Sequence, residues 1–307
     1  MILVTGATGF LGTRVCRKLD QLGLKYERTS LSLGVDLRDR SAAVEYFERV
    51  RPDSVLNCAS FVGGIQFGHK YPADIFANNA PMIANIFEAA RASRVRRIVN
   101  PISNCVYPAR LSLFREEELW DGPLHESVMV YGLLRKLSWA GAWAYQRQHG
   151  LDTISLILSN MYGPEDHFEA ERSHALSALV KKFVDAKREG LEQVVVWGTG
   201  TPVREWLYVD DGAEAMIRAL DAQPTEEPVN VGVAQGVSVR ELAETIAARV
   251  GYDGAVVYDA SKPDGAAFKT VDGARGAALL GWTPSISLSQ GIDQTVEWYQ
   301  ANWETRS

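Results

Sequence analysis

The sequence predicts an α/β protein built on a Rossmann-type, doubly wound parallel sheet, followed by a smaller C-terminal α/β domain. Short apolar runs alternate with helical patterns through the first half, and a glycine cluster separates the first run from the first helix. A chain of 307 residues is long enough for two cores. We predict a dinucleotide-binding domain of residues 1–160, to which 205–235 returns, and a second domain of 161–204 and 236–307.

The expected strands of the first half are the runs 2–5, 54–60, 96–103 and 153–159, separated by helical patterns at 10–22, 73–92 and 131–148. Continuous Val, Ile and Leu runs are typical of parallel strands that are covered on both faces. The second half is less regular. It predicts a loop-rich stretch at 162–173, a strand at 194–197, and helices at 175–186, 211–220, 239–250 and 287–301.

Composition argues against several classes of protein. A net charge of -6, with no long run of Lys or Arg, does not suit nucleic-acid binding. The three cysteines form neither a disulfide framework nor a zinc-binding spacing, so we predict no metal site. The chain opens on a strand-like run without a signal-peptide or anchor pattern, which predicts a cytoplasmic protein that does not associate with membranes.

The first candidate site is the segment Thr5–Gly12, which reads TGATGFLG and lies between the first strand and the first helix. Small residues let the backbone turn tightly and approach a pyrophosphate, which the helix N-terminus binds with its free N–H groups. Glycine clusters alone are weak signals, but this position is the one that a dinucleotide site requires. The candidate contacts are Gly6, Thr8, Gly9, Phe10, Leu11 and Gly12.

A further strand is expected between the first helix and the run 54–60, and it is the second strand along the chain. Charged residues near its end bear on which dinucleotide binds. Glu27 could hold a ribose 2'-hydroxyl, as in NAD sites, and Arg28 could accept a 2'-phosphate, as in NADP sites. Spacing alone leaves the choice open, and a solvated charge pair is an equally good interpretation. Four further residues are placed to border an adenine and a ribose: Asp36, Leu37, Asn57 and Ala59.

A serine and a tyrosine lie near the carboxyl end of the run 96–103. Ser103 is its last residue, and Tyr131 is at the start of the next long helix. A tyrosine beside a cation and a serine hydroxyl can protonate or deprotonate a carbinol, because the cation lowers the pKa of the phenol. Helical spacing puts Arg135, at i+4, beside Tyr131 and turns Lys136 away. A tyrosine on an amphipathic helix, taken alone, is more often a packing residue.

At these residues the chain resembles the GDP-L-fucose synthases, a branch of the extended short-chain dehydrogenase/reductase (NAD-dependent epimerase/dehydratase) family. Segments from end to end carry the resemblance: TGATGFLG, NCASFVGGI, YPADIFANN, SNCVYP, SNMYGPEDHFEAERSHALSALVKKF, VVVWGTGTPVREWLYVDD and YDASKPDG. The resemblance implies that Ser103 and Tyr131 reduce a C4 ketone with NADPH, and that Cys105 and His174 epimerise the neighbouring carbons. Both a thiol and an imidazole exchange protons near neutral pH.

The same resemblance implies binding roles. Arg28 falls on the family's 2'-phosphate contact, which favours NADP(H) over NAD(H), although the glycine loop lacks an arginine that some members use. Arg204 falls on an arginine that meets the substrate's diphosphate, with a salt bridge to Glu205 or Asp210 as the structural alternative. Further substrate contacts are expected at Asn160, Lys182, Trp197 and Lys269. A homodimer joined by the helices at 73–92 and 131–148 is also implied.

Several positions depart from the family pattern. The usual Tyr-x-x-x-Lys is Tyr131-x-x-x-Arg135, Asn-Glu-Pro before the tyrosine is 128–130 (VMV), Thr-Pro-Arg after KPDG is 266–268 (AAF), and an arginine is replaced by Lys182. These changes leave three hypotheses: an epimerase-reductase with slower or altered chemistry, an epimerase or ketoreductase alone on another nucleotide sugar, and a catalytically inactive NADP(H)-binding sensor or scaffold.

Overall fold

The computed structural model describes residues 1–169, 171–262, 264 and 267–303. Its strands are β1 (Ile2–Thr5), β2 (Tyr26–Thr29), β3 (Ser54–Asn57), β4 (Arg97–Ser103), β5 (Leu113–Phe114), β6 (Asp152–Leu158), β7 (Asn160–Tyr162), β8 (Gln193–Trp197), β9 (Val203–Tyr208), β10 (Val229–Val231), β11 (Gly236–Ser238), β12 (Ala255–Asp259) and β13 (Phe268–Val271). Its helices are α1 (Phe10–Gln21), α2 (Arg40–Val50), α3 (Ile65–Lys70), α4 (Pro72–Ala92), α5 (Met129–His149), α6 (Ala175–Glu189), α7 (Val209–Arg218), α8 (Val239–Val250), α9 (Ala274–Leu280) and α10 (Leu288–Ala301).

The main sheet has six parallel strands in the order β2-β1-β3-β4-β6-β10. The chain runs outward from β1 to β2 and then crosses to β3 on the other side of β1. Ligands of such sheets bind outside the carboxyl ends of the strands at this change of direction. The glycine loop follows β1 there, so the fold puts the predicted dinucleotide site at the expected edge.

Both faces of this sheet are buried. On one face Val4, Leu56 and Val99 join a core with α1 and α7; on the other, Leu3 and Val55 pack with α2, α4 and α5. The alternation of side chains along each strand therefore supplies two separate cores. The predicted fold class, a doubly wound parallel α/β sheet, is confirmed.

A third core lies in the C-terminal half. It packs α6, α8 and α10 against β8, with Phe183, Val196, Leu242, Ile246 and Val296 buried at its centre. Two smaller sheets accompany it: β9 pairs with β7, β11 and β13, which in turn pairs with β5, and β12 pairs with β8. The predicted domain boundaries, whose ranges include a few positions outside the described residues, stay a prediction.

Some sequence-based element boundaries were wrong. The third strand ends at Asn57 rather than continuing to residue 60, and the helix expected at 211–220 is α7, which begins at Val209. The small-sheet strands β5, β7, β9, β11, β12 and β13 were missed because they are only two to six residues long, too short for a clear periodic pattern. Across the described part of the chain, no helix combines the length and apolarity needed to cross a bilayer.

Candidate active site

The glycine loop has the geometry that a bound pyrophosphate requires. Gly6 adopts φ +61°, and a Cβ there would lie 2.5 Å from the carbonyl carbon of Cys58. A Cβ on Gly12 would lie 2.1 Å from the Gly6 oxygen, so α1 can pack on the loop only through glycine. Gly9 is exposed at the N-cap of α1 and is the point of backbone approach for a ligand. This cradle fits a dinucleotide.

Three hydroxyl groups meet where the glycine loop contacts the segment after β2. One belongs to Thr8 of the loop and two belong to serines past the end of β2. Thr8 Oγ1 donates to Ser30 Oγ (3.0 Å) and lies 2.8 Å from Ser32 Oγ, and the two serine oxygens are 3.0 Å apart. We call Thr8, Ser30 and Ser32 the hydroxyl cluster. Arg28 lies earlier on β2, opposite Val4, with an exposed side chain and a carbonyl that accepts from Tyr46 Oη (3.0 Å).

The remaining residues predicted to contact the dinucleotide divide into three groups. The Asp36 carboxylate is held by Arg38 at 2.7 and 2.8 Å, which lowers the pKa of the carboxyl. Leu11 and Leu37 are buried in the cores, so only their backbones could face a ligand, whereas Phe10 and Ala59 are half-buried.

Asn57 stays a predicted cofactor contact, but its side chain is turned into the sheet and only its backbone is available to a ligand. The amide is 4% exposed and lies inside the sheet, accepting from Thr5 Oγ1 (2.8 Å) and donating to Asn100 Oδ1 (3.2 Å). It cannot reach a ligand without breaking both bonds. The residue was selected for its position at the end of a strand, and the sequence alone does not show that this side chain points between strands.

Ser103 and Cys105 share one short turn at the carboxyl end of β4. The Ser103 hydroxyl accepts from the Cys105 N–H at 3.3 Å, which fixes both side chains relative to the strand. Helix α5 crosses this turn closely, because a Cβ on Gly132 would lie 2.6 Å from the Cys105 carbonyl oxygen. Tyr131, the neighbour of Gly132, is thereby brought beside the turn.

Arg135 lies next to Tyr131, as the helical spacing predicted. Its guanidinium carbon is 4.8 Å from the centroid of the Tyr131 ring, and it donates to Ser60 Oγ (2.8 Å) and Asn79 Oδ1 (3.3 Å). Lys136 points elsewhere and donates to the Leu119 carbonyl. Among the described residues, the buried Nε of Arg135 has no hydrogen-bond partner.

Positive charge surrounds Cys105. Burial raises the pKa of its thiol, while a hydrogen bond with the Ser103 hydroxyl and the charges of Lys269 and Arg135 oppose part of that rise. Lys269 on β13 is paired in register with Arg204 on β9, so the two side chains share one face of the small sheet. Burial, and then the charge of Arg204, lower the pKa of Lys269, with the thiol acting in the opposite direction.

Arg204 is directed toward this cationic face rather than into a salt bridge with its neighbours. Its guanidinium donates to the Val203 carbonyl (2.7 Å). Glu205 instead accepts from the backbone N–H groups of Val233 and Val271, and Asp210 pairs with Arg14. The structural alternative for Arg204 is therefore wrong.

The other predicted substrate residues lie on three further elements, Trp197 on β8, Lys182 on α6 and Asn160 on β7. Trp197 ends β8 with its ring 54% exposed, and the Nζ of Lys182 and of Lys262 lie 5.6 and 5.7 Å from its centroid. Burial lowers the pKa of Lys182, which donates to the Val195 carbonyl. Asn160 donates to the Glu205 carbonyl at 3.0 Å and is held against β9.

His174 is the N-cap residue of α6, and its Nδ1 lies 3.1 and 3.2 Å from the two carboxylate oxygens of Asp166. Within the described part of the chain, no hydrogen bond joins the imidazole to Cys105. The loop after β3 packs directly under this segment: Gly64 N–H donates to the Arg172 carbonyl, and a Cβ on Gly64 would lie 2.2 Å from the Ser173 oxygen.

The sequence-based prediction missed the residues that hold the candidate groups in place. Ser60 and Asn79 bind Arg135, Asp166 binds His174, and Ser30 and Ser32 bind Thr8. Asn79 offered one usable signal, since it is a polar residue on the apolar face of α4. No pattern singled out Asp166, because the loop that carries it has no periodicity.

A dinucleotide cradle at the edge of a doubly wound sheet, with a serine, a tyrosine and a cation beside it, defines an NAD(P)-dependent oxidoreductase or epimerase. The model of the NAD dependent epimerase/dehydratase family matches residues 2–232, and the chain belongs to this family.

Named relatives extend this similarity to nearly the full chain. It is 37% identical over 302 residues to GDP-L-fucose synthase 1 of Arabidopsis thaliana, covering 98% of this chain and 93% of that one. It is 36% identical over 311 residues to GDP-L-fucose synthase of Escherichia coli (strain K12), covering 98% and 97%. The crystal structure of a GDP-L-fucose synthetase from Naegleria fowleri bound to NADP superposes with a TM-score of 0.90 at 30% identity, covering 100% and 96%.

Proposed function

We propose that the protein epimerises a GDP-linked 4-keto-6-deoxyhexose and then reduces it with NADPH, the chemistry of the GDP-L-fucose synthases that it resembles. The observation that carries this proposal is the position of Cys105. Its thiol interacts with Ser103 and Arg135, next to Tyr131, and also with Lys269 on the cationic face. The Cys105 thiol, which can exchange a proton, therefore lies between the residues proposed to reduce the ketone and the cationic residues proposed to bind the diphosphate.

The epimerisation needs a base and an acid on opposite faces of the sugar. The Cys105 thiolate takes the proton from a carbon beside the ketone, and the electron pair moves onto the ketone oxygen. The positive charges of Lys269 and Arg135 stabilise that oxygen. The protonated His174 imidazole then returns a proton to the opposite face, and the configuration is inverted.

The reduction follows at the ketone carbon. NADPH, when bound in the glycine cradle, supplies the hydride. Tyr131 donates its phenolic proton to the oxygen as the negative charge develops, and the Ser103 hydroxyl positions that oxygen. The guanidinium of Arg135, which is always charged, lies against the ring face of Tyr131. Because Arg135 does not release a proton, the phenol must be reprotonated by another donor.

The cationic face suits a diphosphate. Arg204 and Lys269 hold two like charges side by side, and among the described residues only the Asp264 carboxylate acts on Arg204 with the opposite sign, so a diphosphate bound between the two cations is favourable. The exposed Trp197 ring, flanked by Lys182 and Lys262, offers a surface for the base or ribose. We assign the nucleotide diphosphate to Arg204 and Lys269 and the sugar to the space beside Cys105.

The hydroxyl cluster supports NADPH as the preferred cofactor. Its three hydroxyl groups can donate hydrogen bonds to a 2'-phosphate. The described contacts of Thr8, Ser30 and Ser32 include no carboxylate that would repel this phosphate. We expect Ser32→Asp to weaken NADPH binding at least about tenfold, or about 1.4 kcal/mol, while NADH binding changes little. Fluorescence titration of both cofactors measures this, with Ser32→Ala as the matched control. An unchanged NADPH affinity in Ser32→Asp would place the 2'-phosphate elsewhere.

We also propose a homodimer formed by α4 and α5. Exposed small and apolar side chains lie on one face of each helix: Ala73, Phe76, Ala77 and Ala84 on α4, and Leu133, Leu137, Ala140 and Ala144 on α5. Adjacent helices with such faces pack well against a second copy related by twofold symmetry. Light scattering after gel filtration should give twice the mass of one chain, and a Leu137→Glu variant should give the mass of one.

The proposed substrate is tested by following NADPH absorbance with two ligands. GDP-4-keto-6-deoxy-D-mannose should support oxidation of NADPH, whereas a dTDP-linked 4-keto-6-deoxyglucose should support much less. Turnover of the dTDP sugar alone would overturn the assignment. Binding of NADPH without turnover of either sugar would favour the non-catalytic hypothesis, and deuterium exchange without oxidation would favour an epimerase alone.

A further inference from the structure

We propose that Asp166 is the positioning residue for His174, holding the imidazole by Nδ1 so that Nε2 is presented for proton transfer to the sugar. This inference rests on the proposed epimerisation and adds a group that does not itself meet the substrate. The Asp166 side chain is fully buried, whereas that of His174 is 36% exposed. A carboxylate hidden behind a partly exposed imidazole can act on the reaction only through that imidazole.

The hydrogen bonds of Asp166 fix its orientation. One oxygen accepts from the His167 N–H at 2.8 Å, the other accepts from the Ser177 hydroxyl at 2.6 Å, and both lie within 3.2 Å of His174 Nδ1. With the donors on both sides in place, the carboxylate plane cannot rotate away from the imidazole. The bond therefore specifies Nδ1 as the protonated nitrogen in the neutral ring and leaves Nε2 to exchange a proton.

The packing around His174 restricts the ring as well. The residue is fixed at the start of α6, Ser177 lies one turn later on the same helix, and the preceding Ser173 is in contact with Gly64 from the loop after β3. Ser177 thus connects α6 to Asp166, and Gly64 connects the nucleotide-binding half to the segment that carries the imidazole. Movement of His174 would require both contacts to change.

The charges near His174 determine the direction of its titration. Burial disfavours the imidazolium, but the charge and the hydrogen bond of Asp166 outweigh burial, and the pKa of His174 is raised. The neighbouring titratable and charged groups on the same loop are His167, Glu169 and Arg172, and the pKa of His167 is lowered by burial and then by the charge of Arg172. His174 consequently stays protonated to higher pH, as an acid that returns a proton must.

The test replaces Asp166 with Asn, which keeps the shape and removes the charge. Deuterium exchange into the sugar from D2O, measured without NADPH, should slow by about 100-fold, the lower end of general acid catalysis. The KM for the GDP sugar should stay within about twofold, because a buried residue does not touch the substrate. In a plot of exchange rate against pH, the fall at alkaline pH should move to lower pH, because the His174 imidazolium deprotonates at lower pH without the carboxylate. Asp185→Asn, the same substitution later on α6 where the carboxylate pairs with Lys181, is the matched control and should retain the wild-type exchange rate and pH profile.

A second measurement needs no substrate and no change at Asp166. In wild-type protein labelled with 15N-histidine, the resonances that His174→Gln removes should show an Nδ1–H tautomer and a pKa above the usual histidine value. An Asp166→Asn enzyme with wild-type exchange and an unshifted profile, or a wild-type His174 with an Nε2–H tautomer, would overturn the inference. Absence of deuterium exchange in the wild type contradicts the proposed function, and the tautomer still decides the role of Asp166.

Discussion

Tyr131→Phe is expected to lower kcat for NADPH oxidation by about 100- to 10,000-fold, the usual contribution of a positioned general acid. The variant keeps the aromatic ring that packs against Arg135 and loses only the hydroxyl. Deuterium exchange beside the ketone should continue, because that step uses Cys105 and His174. NADPH binding should persist, because the substitution leaves the glycine loop and the ring of residue 131 in place. Stopped-flow absorbance measures the oxidation and NMR measures the exchange.

Tyr145→Phe is the matched control for this prediction. Tyr145 lies on the same helix, and its hydroxyl contacts Glu88 at 3.2 Å. Its loss should leave both rates near those of the wild type. If Tyr131→Phe retained half or more of the oxidation rate, the proton would have to come from another group, and the assignment of Tyr131 would fail.

Cys105→Ser is expected to reduce deuterium exchange by at least about 100-fold, because a hydroxyl ionises far less readily than a thiol and cannot act as the base. The substitution is nearly isosteric, so the turn formed with Ser103 and the contact of α5 with the Cys105 carbonyl should remain. Product formation from the unepimerised substrate should fall to the same extent, whereas NADPH affinity should not change.

A second thiol provides the control. Cys16 is buried in the core on α1, and its replacement by Ala should cost some thermal stability without changing exchange. Retained exchange in Cys105→Ser would show that the base lies elsewhere. In that case the positive charges of Lys269 and Arg135 would have to be explained by substrate binding alone.

The sequence predicted the main sheet well because its strands are continuous apolar runs and its glycine loop lies at the start of a βαβ unit. It also predicted that Arg135, and not Lys136, contacts Tyr131, since that relation depends only on helical geometry. These features are local. They can be read from periodicity and spacing without knowledge of which distant segments meet.

The features that the sequence did not predict depend on distant segments. Asp166 reaches His174 across a loop, and Lys269 reaches Cys105 only because β13 pairs with β9 and β5. The direction of the Asn57 amide, which points along the sheet toward Asn100, depends in the same way on a distant strand. The change from Lys to Arg135 also has a structural consequence that spacing could not show, since Ser60 and Asn79 hold the guanidinium against the ring.

The central claim is that one site performs both proton exchange and hydride transfer on a GDP-linked keto sugar. NMR of the product formed from GDP-4-keto-6-deoxy-D-mannose and NADPH in D2O tests it most directly. We predict GDP-L-fucose with deuterium at the two epimerised carbons, C3 and C5, which lie on either side of the newly formed C4 alcohol. A reduced sugar without deuterium at either carbon, or with unchanged configuration there, would contradict the account.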